Sequence, residues 1–263
     1  MIEITSDKNP IIKEIKALSR KKNRWREKLF IIEGIKVIEE AIKASMGIKY
    51  IFFSEILLEA DGGEVFFNKI KDRKETVKLS TKIFNQITNL DSPQGVLAIV
   101  EFKEREITDL YKKELPFIIF LDGLNDPGNL GTIIRTADAF RVDAIVLGED
   151  CVDPYNSKVV RSTMGSIFRV SLYNVKDNED FFDNMKKRDI DIITTSLSGK
   201  PLERKDFSGG FVLVIGNEAN GVRKNIIERS TKEIKIPMPG GAESLNAGVA
   251  ASIIMYEAMM NRN

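Results

Sequence analysis

Histidine is absent from this chain of 263 residues, and cysteine occurs once, as Cys151. Without histidine the chain cannot form a Ser-His-Asp or Cys-His triad, nor the usual imidazole metal sites. A single thiol cannot form an internal disulfide or a cysteine-rich zinc site, so Cys151 is expected to be a small buried or half-buried side chain. Any chemistry must therefore use Arg, Lys, Asp, Glu, Ser, Asn or the backbone, and no metal is expected.

Long apolar runs are also absent. No run approaches the roughly 20 residues that cross a bilayer, and the first residues lack the basic and apolar stretches of a signal peptide. These features predict a cytoplasmic protein. Hydrophobic residues make up 43% of the chain and charged residues 30%, a composition that allows one large folded domain or two of ordinary size.

Basic residues are concentrated near the amino terminus, although the net charge of the whole chain is only +1. Residues 8–28 hold nine basic and two acidic side chains, a local net charge of +7. Such a stretch is either a solvated helix face or a phosphate-binding face with an aromatic ring for base stacking. On the second interpretation, the residues that bind nucleic acid are Lys21, Lys22, Arg24, Trp25 and Arg26.

The first hundred residues alternate between short apolar runs and helical patterns. Strands are expected at residues 29–32, 48–53, 77–79 and 96–100, and helices at 9–18, 34–42, 64–71 and 82–87. This alternation predicts a small α/β domain over residues 1–102. Residues 103–115 are highly charged and are the predicted linker, and residues 116–263 form the second predicted domain.

Continuous apolar runs in the second domain are typical of strands buried on both faces of a parallel sheet. Strands are expected at residues 117–121, 144–147, 191–195, 211–215 and 233–236, separated or followed by helices at 130–140, 157–164, 179–188, 221–229 and 245–260. The pattern predicts an open parallel sheet with helices on both faces. A ligand of such a sheet binds beyond the carboxyl ends of the strands.

The first of three polar loops in this domain is residues 126–135, with the sequence DPGNLGTIIR. Asp-Pro-Gly makes a turn, and Asn129 is well suited to cap the helix that follows. Arg135 would lie on the first turns of that helix, where its guanidinium could meet a phosphate or ribose.

The other two loops follow later predicted strands. Residues 216–221, GNEANG, combine glycine and asparagine in a pattern that allows a tight pocket, with Glu218 able to stabilise a cation or orient an arginine. Residues 236–246 place Ser244 and Asn246 at the start of the last helix, where backbone N–H groups are free.

Each loop alone is also compatible with an ordinary capped connection. None has the GxGxxG spacing of a dinucleotide-binding fold, and no GxxxxGK[ST] phosphate loop occurs in the chain. A nucleotide-dependent oxidoreductase and an NTPase are therefore disfavoured.

In order and spacing, the three loops resemble the three motifs of the SpoU (TrmH-type) family of RNA ribose methyltransferases, within the SPOUT superfamily. The resemblance covers about residues 117–260 and includes 159–168, VVRSTMGSIF, which adds Arg161 to the RNA-binding candidates. The first hundred residues, through Asn9-Pro10 and the segment FIIEG at 30–34, are similar to the substrate-binding domain that precedes the catalytic domain in many members.

This resemblance implies an S-adenosylmethionine-dependent transfer of a methyl group to a ribose 2′-hydroxyl of RNA. It also implies a trefoil knot in the catalytic domain and a homodimer formed through that domain with help from the final helix. The small residues Ala247, Gly248 and Ala251 suit such a dimer, or equally packing within one chain. Large-subunit ribosomal RNA is the favoured substrate, and the alternatives are a tRNA methyltransferase or a non-catalytic RNA-binding factor on the same fold.

The resemblance also implies which residues form the site. The catalytic candidates are Arg135, Asn129, Glu218, Ser244 and Asn246, the last four orienting Arg135 and the ribose. Guanidinium groups normally stay protonated in proteins, so two roles for Arg135 remain open: general base assisted by a substrate phosphate, or a cation that lowers the hydroxyl pKa and holds the phosphate. The expected cofactor-binding residues are Thr195, Leu197, Gly216, Asn217, Ile236, Met238, Ser244, Leu245 and Asn246.

Overall fold

The computed structural model of the protein describes residues 3–262, which divide into two compact units. The first unit comprises the chain through Lys103 together with Tyr155–Phe168, and the second comprises Glu104–Pro154 and the chain from Arg169 onward. Residues 155–168 lie within the stretch predicted as the second domain, yet they pack with the first unit. A contiguous sequence boundary could not describe this division.

The first unit contains a mixed sheet of five strands in the order β1-β4-β3-β5-β2. β3 and β4 are parallel, whereas β5 is antiparallel to both of its neighbours, β2 and β3. The elements are β1 (Glu3–Ile4), α1 (Pro10–Ala17), α2 (Lys21–Glu27), β2 (Leu29–Glu33), α3 (Ile35–Lys43), β3 (Ile48–Phe53), α4 (Ile56–Glu59), α5 (Gly63–Ile70), β4 (Thr76–Leu79), α6 (Thr81–Ile87), β5 (Val96–Glu101) and, from the later segment, α9 (Ser157–Ser162).

The second unit contains a six-stranded sheet in the order β11-β9-β10-β6-β7-β8, with every pair parallel. The elements are α7 (Ile107–Leu110), β6 (Phe117–Leu121), α8 (Pro127–Ala139), β7 (Ala144–Leu147), β8 (Leu172–Asn174), α10 (Asn178–Lys186), β9 (Asp191–Pro201), β10 (Phe211–Ile215), α11 (Lys224–Ile227), β11 (Lys232–Lys235) and α12 (Ala247–Arg262). The predicted α/β class is confirmed. The trefoil knot stays a prediction, because strand order alone does not define how the chain threads.

Both faces of this parallel sheet are covered. Alternate strand residues such as Ile118, Phe120 and Val212 pack with Phe181 and Phe182 of α10 in one apolar cluster. The intervening strand residues are equally inaccessible to solvent. Burial on both sides explains the continuous apolar runs in the sequence, and it leaves the strand ends and the loops after them as the polar part of the unit.

β8 was not predicted from the sequence. It has only three residues, and its strand conformation comes from pairing with β7, where Ile145 lies opposite Leu172.

Among the described residues no helix is long and apolar enough to span a bilayer.

Candidate active site

The start of α8 lies directly beyond the carboxyl end of β6. Asp126 is the N-cap of this helix: its side chain accepts a hydrogen bond of 2.7 Å from the Asn129 N–H, and Pro127 occupies the first helical turn. The expectation that Asn129 caps the helix was therefore wrong. Because Asp126 fills that role, the buried Asn129 side chain is free to make a contact outside its own helix.

Glu218, in the loop after β10, makes that contact. Its Oε1 accepts hydrogen bonds from Asn129 Nδ2 at 2.9 Å and from the Asp126 N–H at 3.1 Å, and Oε2 accepts from the Asn125 N–H at 3.3 Å. Burial works to raise the pKa of Glu218, but these hydrogen bonds outweigh it and lower that pKa below its usual value. Two of the predicted site residues, Asn129 and Glu218, are thus brought together as a carboxylate–amide pair.

The loop that holds Glu218 is a tight hairpin. Asn217 and Gly221 exchange backbone hydrogen bonds of 3.0 and 2.9 Å, and the Asn217 amide donates to the Gly123 carbonyl at 2.8 Å. At Gly216 a Cβ atom would lie 2.2 Å from the Gly221 carbonyl carbon and 2.3 Å from Val222 N. Glycine is therefore required there, because any side chain would collide with the returning backbone.

Four of the predicted cofactor-binding residues lie within β9 or just after β11, two neighbouring strands. Thr195 Oγ1 donates to the Val214 carbonyl at 3.1 Å, two residues before Gly216. The register of β9 against β11 shifts between Thr194 and Lys200, so that the residues between them bulge from the ladder. Leu197 lies in this bulge and is 68% exposed. Ile236 and Met238, just after β11, are half-buried.

The loop before α12 carries the remaining candidates. Asn246 Oδ1 accepts hydrogen bonds from Gly248 N at 2.9 Å and Val249 N at 3.2 Å, so it caps α12. Ser244 and Leu245 are exposed in the same loop. Within the described residues, Ser244 makes no hydrogen bond.

Arg135 is exposed on α8, and its side chain forms no hydrogen bond or ion pair with any described residue. Of the four residues predicted to orient it, none forms a hydrogen bond or ion pair with its side chain among the described residues. The next residue, Thr136, contacts Ser252 of α12 through their hydroxyl groups at 2.9 Å, and a Cβ at Gly248 would lie 3.2 Å from Thr132. The small residues of α12 therefore serve close packing against α8, and α8 presents an unpaired guanidinium.

The RNA-binding candidates of the first unit differ in accessibility. Lys21, Lys22 and Arg26 are exposed on α2, and Arg26 pairs with Glu27. Arg24 is buried instead and donates to the carbonyls of residues 18 and 19, both at 2.8 Å. Its guanidinium is used at the end of α1, so it is not part of an exposed binding face.

The other two candidates in this unit are partly buried. Trp25 packs edge-on against Phe102 and Tyr155, with ring centroids 5.2 and 5.8 Å away. Arg161 of α9 is half-buried. Burial raises the pKa of Glu33, and hydrogen bonds from Thr88 and Asn89, together with the charge of Arg161, oppose that rise.

Two candidate site residues of the second unit were not predicted from the sequence. Asp122, directly after β6, and Arg223, before α11, line a cavity of about 260 Å³, and Asn217 is the only predicted cofactor residue in its wall. The cavity is lined by Asp122, Gly123, Asn125, Asp150, Asn217, Asn220, Gly221 and Arg223. A lone aspartate after a strand gave no signal in the sequence, because its burial and its partner depend on the tertiary fold.

Comparison with known proteins relates both parts of the chain to RNA methyltransferases. Residues 116–256 match the SpoU rRNA Methylase family and residues 9–98 match the MRM3-like substrate binding domain. The chain is similar to the 23S rRNA (guanosine(2553)-2′-O)-methyltransferase RlmP of Bacillus subtilis, at 34% identity over 97% of this chain and 98% of the relative.

Solved structures agree with this result. An AdoMet-bound rRNA methyltransferase from Sinorhizobium meliloti superposes with a TM-score of 0.84 at 33% identity, covering 98% of this chain and 97% of that one. The SpoU methyltransferase AviRb from Streptomyces viridochromogenes, in complex with AdoMet, gives a TM-score of 0.83 at 26% identity, covering 97% and 99%.

The chain belongs to the SpoU methylase family, with an MRM3-like substrate-binding domain before the catalytic domain. It is an RNA 2′-O-ribose methyltransferase that uses S-adenosylmethionine. The family, enzyme class and cofactor predicted from the three loops are thereby confirmed.

Proposed function

We propose that the enzyme methylates the 2′-hydroxyl of a guanosine in 23S ribosomal RNA, in the cytoplasm. The similarity to RlmP extends over nearly the full length of both chains, including the substrate-binding domain, which supports a shared substrate class. The structural observation that carries the proposal is the exposed, unpaired Arg135 guanidinium on a helix whose start is held by Glu218.

S-adenosylmethionine supplies an activated methyl group, and residues in the irregular part of β9, after β10 and after β11 fit its chemistry. Leu197 and Leu245 are large apolar side chains that the chain leaves exposed. Together with the half-buried Ile236 and Met238 they would enclose an adenine ring. The Gly216 backbone and the hydroxyl of Ser244 would supply hydrogen bonds, as in other small-molecule pockets with few polar groups.

Arg135 is best suited to act as a fixed cation. An exposed guanidinium has five N–H donors and no acceptor, so it would bind a phosphate oxygen beside the target ribose and stabilise negative charge developing on the 2′-oxygen. Asn129 and Glu218 would act on Arg135 through α8, because their hydrogen bonds fix the start of that helix. Asn246 would act in the same way at the start of α12.

Replacement of Arg135 by alanine tests this role. Arg135→Ala is expected to lower the methylation rate of 23S rRNA transcripts by roughly 100-fold or more, while S-adenosylmethionine affinity measured by calorimetry changes little. Arg141→Asn is the matched control, because Arg141 is another exposed arginine, just after α8, and its φ of +54° is tolerated by asparagine. Turnover by Arg135→Ala close to that of the control would contradict the role.

The target is tested separately by mapping 2′-O-methyl positions in total RNA from cells with and without the protein. Loss of one guanosine modification in 23S rRNA supports the proposal. Loss of a tRNA modification instead would overturn the substrate class while leaving the enzyme class intact.

We further propose that the enzyme is a homodimer through α12. Gly248 and Ala251 are buried within the chain, so they are not the interface. A separate stripe of exposed apolar residues runs along the same helix at helical spacing: Val249, Ile253, Tyr256 and Met260. A second copy of the chain would cover this stripe by packing α12 against α12.

Sedimentation of Ile253→Lys tests the dimer. The wild-type chain is expected to sediment as a dimer and Ile253→Lys as a folded monomer, because a charged ammonium cannot be buried in an apolar interface without large cost. Val65→Lys is the control, since Val65 is an apolar residue of α5 that is 63% exposed. A monomeric wild type, or a dimeric Ile253→Lys, would contradict the proposal.

A further inference from the structure

Asp122 is a buried carboxylate at the end of β6. Its side chain has no exposure to solvent, Oδ2 accepts the Arg223 backbone N–H at 2.7 Å, and Oδ1 lies 3.3 Å from Arg223 Nε. A charge removed from water must be compensated by partners, and here both partners belong to one residue. Asp122 and Arg223 therefore connect the loop after β6 with the loop after β10.

The guanidinium of Arg223 extends this connection to a third strand. Nη2 lies 2.7 Å from Asp150 Oδ2 and 3.4 Å from the Glu149 carbonyl oxygen, and Nη1 lies 3.4 Å from Glu149 Oε2. Both acidic residues follow β7. One arginine thus contacts the segments beyond the carboxyl ends of three adjacent parallel strands, β7, β6 and β10.

The loop of residues 122–126 is held at both of its ends. Its first residue, Asp122, is bound by Arg223, and its last two are bound through their N–H groups by Glu218. Between them, the Gly123 carbonyl accepts a hydrogen bond from Asn217. This loop leads directly into α8, so its position determines where the helix begins.

We propose that Arg223 is a positioning residue for methyl transfer: by holding Asp122 and the segment after β7, it fixes the loop at 122–126 and hence the placement of Asn129 and Arg135 on α8. The inference rests on the proposed role of Arg135. Arg223 acts through the loop and does not touch the reacting atoms. A misplacement of about 1 Å far from the chemistry can cost on the order of 100-fold in rate.

A purely stabilising role is the alternative. The Arg223 side chain is 36% exposed, and its ion pairs with the exposed Glu149 and Asp150 contribute little free energy of unfolding. Removing Arg223 leaves Asp122 with one backbone partner inside the protein, so the loop must rearrange to hydrate or protonate the carboxylate. The expected consequence is local displacement of residues 122–126 more than general loss of stability.

Arg223→Met in the full-length enzyme tests the proposal. We expect kcat to fall by about 10- to 100-fold, with KM for RNA and affinity for S-adenosylmethionine changed by no more than about threefold, since the proposal assigns Arg223 no contact with either ligand. Amide hydrogen exchange in peptides that cover residues 122–130 should accelerate while exchange in β6 and β10 stays slow. Arg223→Lys should recover part of kcat, because an ammonium reaches only one of the carboxylates.

Arg229→Met is the matched control. Arg229 forms ion pairs with Glu179 and Asp183, its side chain is 24% exposed, and it lies away from residues 122–126 in the same unit. Arg229→Met likewise removes an arginine that holds two carboxylates in this unit, and it should leave kcat unchanged. An equal loss of kcat in Arg229→Met, a loss confined to KM, or unchanged exchange at 122–130 would each overturn the proposal.

The exchange measurement also separates this proposal from the role of Arg135. Wild-type turnover by Arg135→Ala would refute that role without changing the exchange result. Unchanged exchange in Arg223→Met would refute positioning by Arg223 whatever Arg135 does.

Discussion

Glu218 is an exposed residue whose carboxylate accepts hydrogen bonds from Asn129 and from the loop that begins α8. Partial removal of the carboxylate from water raises its pKa, but the hydrogen bonds hold the pKa below the usual 4.5. A carboxyl group whose pKa is lower in the folded protein than in the unfolded chain stabilises the fold above the unfolded pKa. That contribution is lost as the pH falls through the folded pKa, so it is present at neutral pH and disappears below about 4.5.

The corresponding prediction concerns Glu218→Gln. At pH 7 the variant should unfold at a Tm no more than about 2 °C below that of the wild type, because contacts of an exposed carboxylate contribute little free energy, and the difference should shrink as the pH is lowered below about 4.5. Glu228→Gln provides the control, because the Glu228 carboxylate is exposed and its ion pair with Lys224 is long, at 3.9 Å. A Tm difference for Glu218→Gln that is constant from pH 7 to pH 4 would refute the linkage.

Residue types that carry chemistry could be predicted from the sequence, but their local roles could not. Asn129 was expected to cap α8, yet Asp126 does so. Arg24 was expected to bind nucleic acid, yet it binds backbone carbonyls at the end of α1. In both cases the residue type suits the predicted role. The actual partner depends on the direction of the side chain in the folded protein, which the sequence does not specify.

At the scale of elements, the strands buried on both faces were predicted closely, because a short continuous apolar run between turn residues is typical of a strand covered on both sides. The bounds of β6, β7 and β10 agree with the expected ranges. The bulge between Thr194 and Lys200 was not foreseen, and β9 continues well past its expected end. Bulges follow from the register against a neighbouring strand, which a single sequence does not specify.

The loop after β10 gives a prediction about backbone packing. Gly216→Ala should destabilise the second unit by about 1 to 3 kcal/mol and weaken S-adenosylmethionine binding, because the added methyl group collides with the backbone of Gly221 and Val222. Gly209→Ala is the comparison, since a Cβ there meets nothing within 4 Å. Thermal unfolding and calorimetric titration measure both effects, and equal behaviour of the two variants would show that the collision at Gly216 has no such effect.

At the scale of the whole molecule, RNA binding depends on the distribution of charge more than on the net charge. A net charge of +1 would give little attraction for RNA, so binding must depend on where basic side chains are concentrated. The sequence located that concentration at residues 8–28, and the structure narrows the accessible part on α2 to Lys21, Lys22 and Arg26. The packing of residues 155–168 with the first unit could not be predicted from the sequence, because tertiary contacts determine which unit a segment joins.

RNA affinity of the full-length enzyme should therefore depend on salt through α2. The triple variant Lys21→Gln, Lys22→Gln and Arg26→Gln should bind RNA more weakly, and the slope of log affinity against log salt should decrease by about 2 to 3, since each lost phosphate contact removes roughly 0.7 to 0.9. The control is the triple variant Lys71→Gln, Lys74→Gln and Lys82→Gln, at lysines that are exposed on other segments of the same unit. Because both triple variants change the net charge equally, a general electrostatic effect would alter the two slopes alike. A smaller salt slope in the α2 variant alone would identify this helix as the phosphate-binding face. Equal slopes in the two variants would show that the basic residues of α2 form only a solvated helix face.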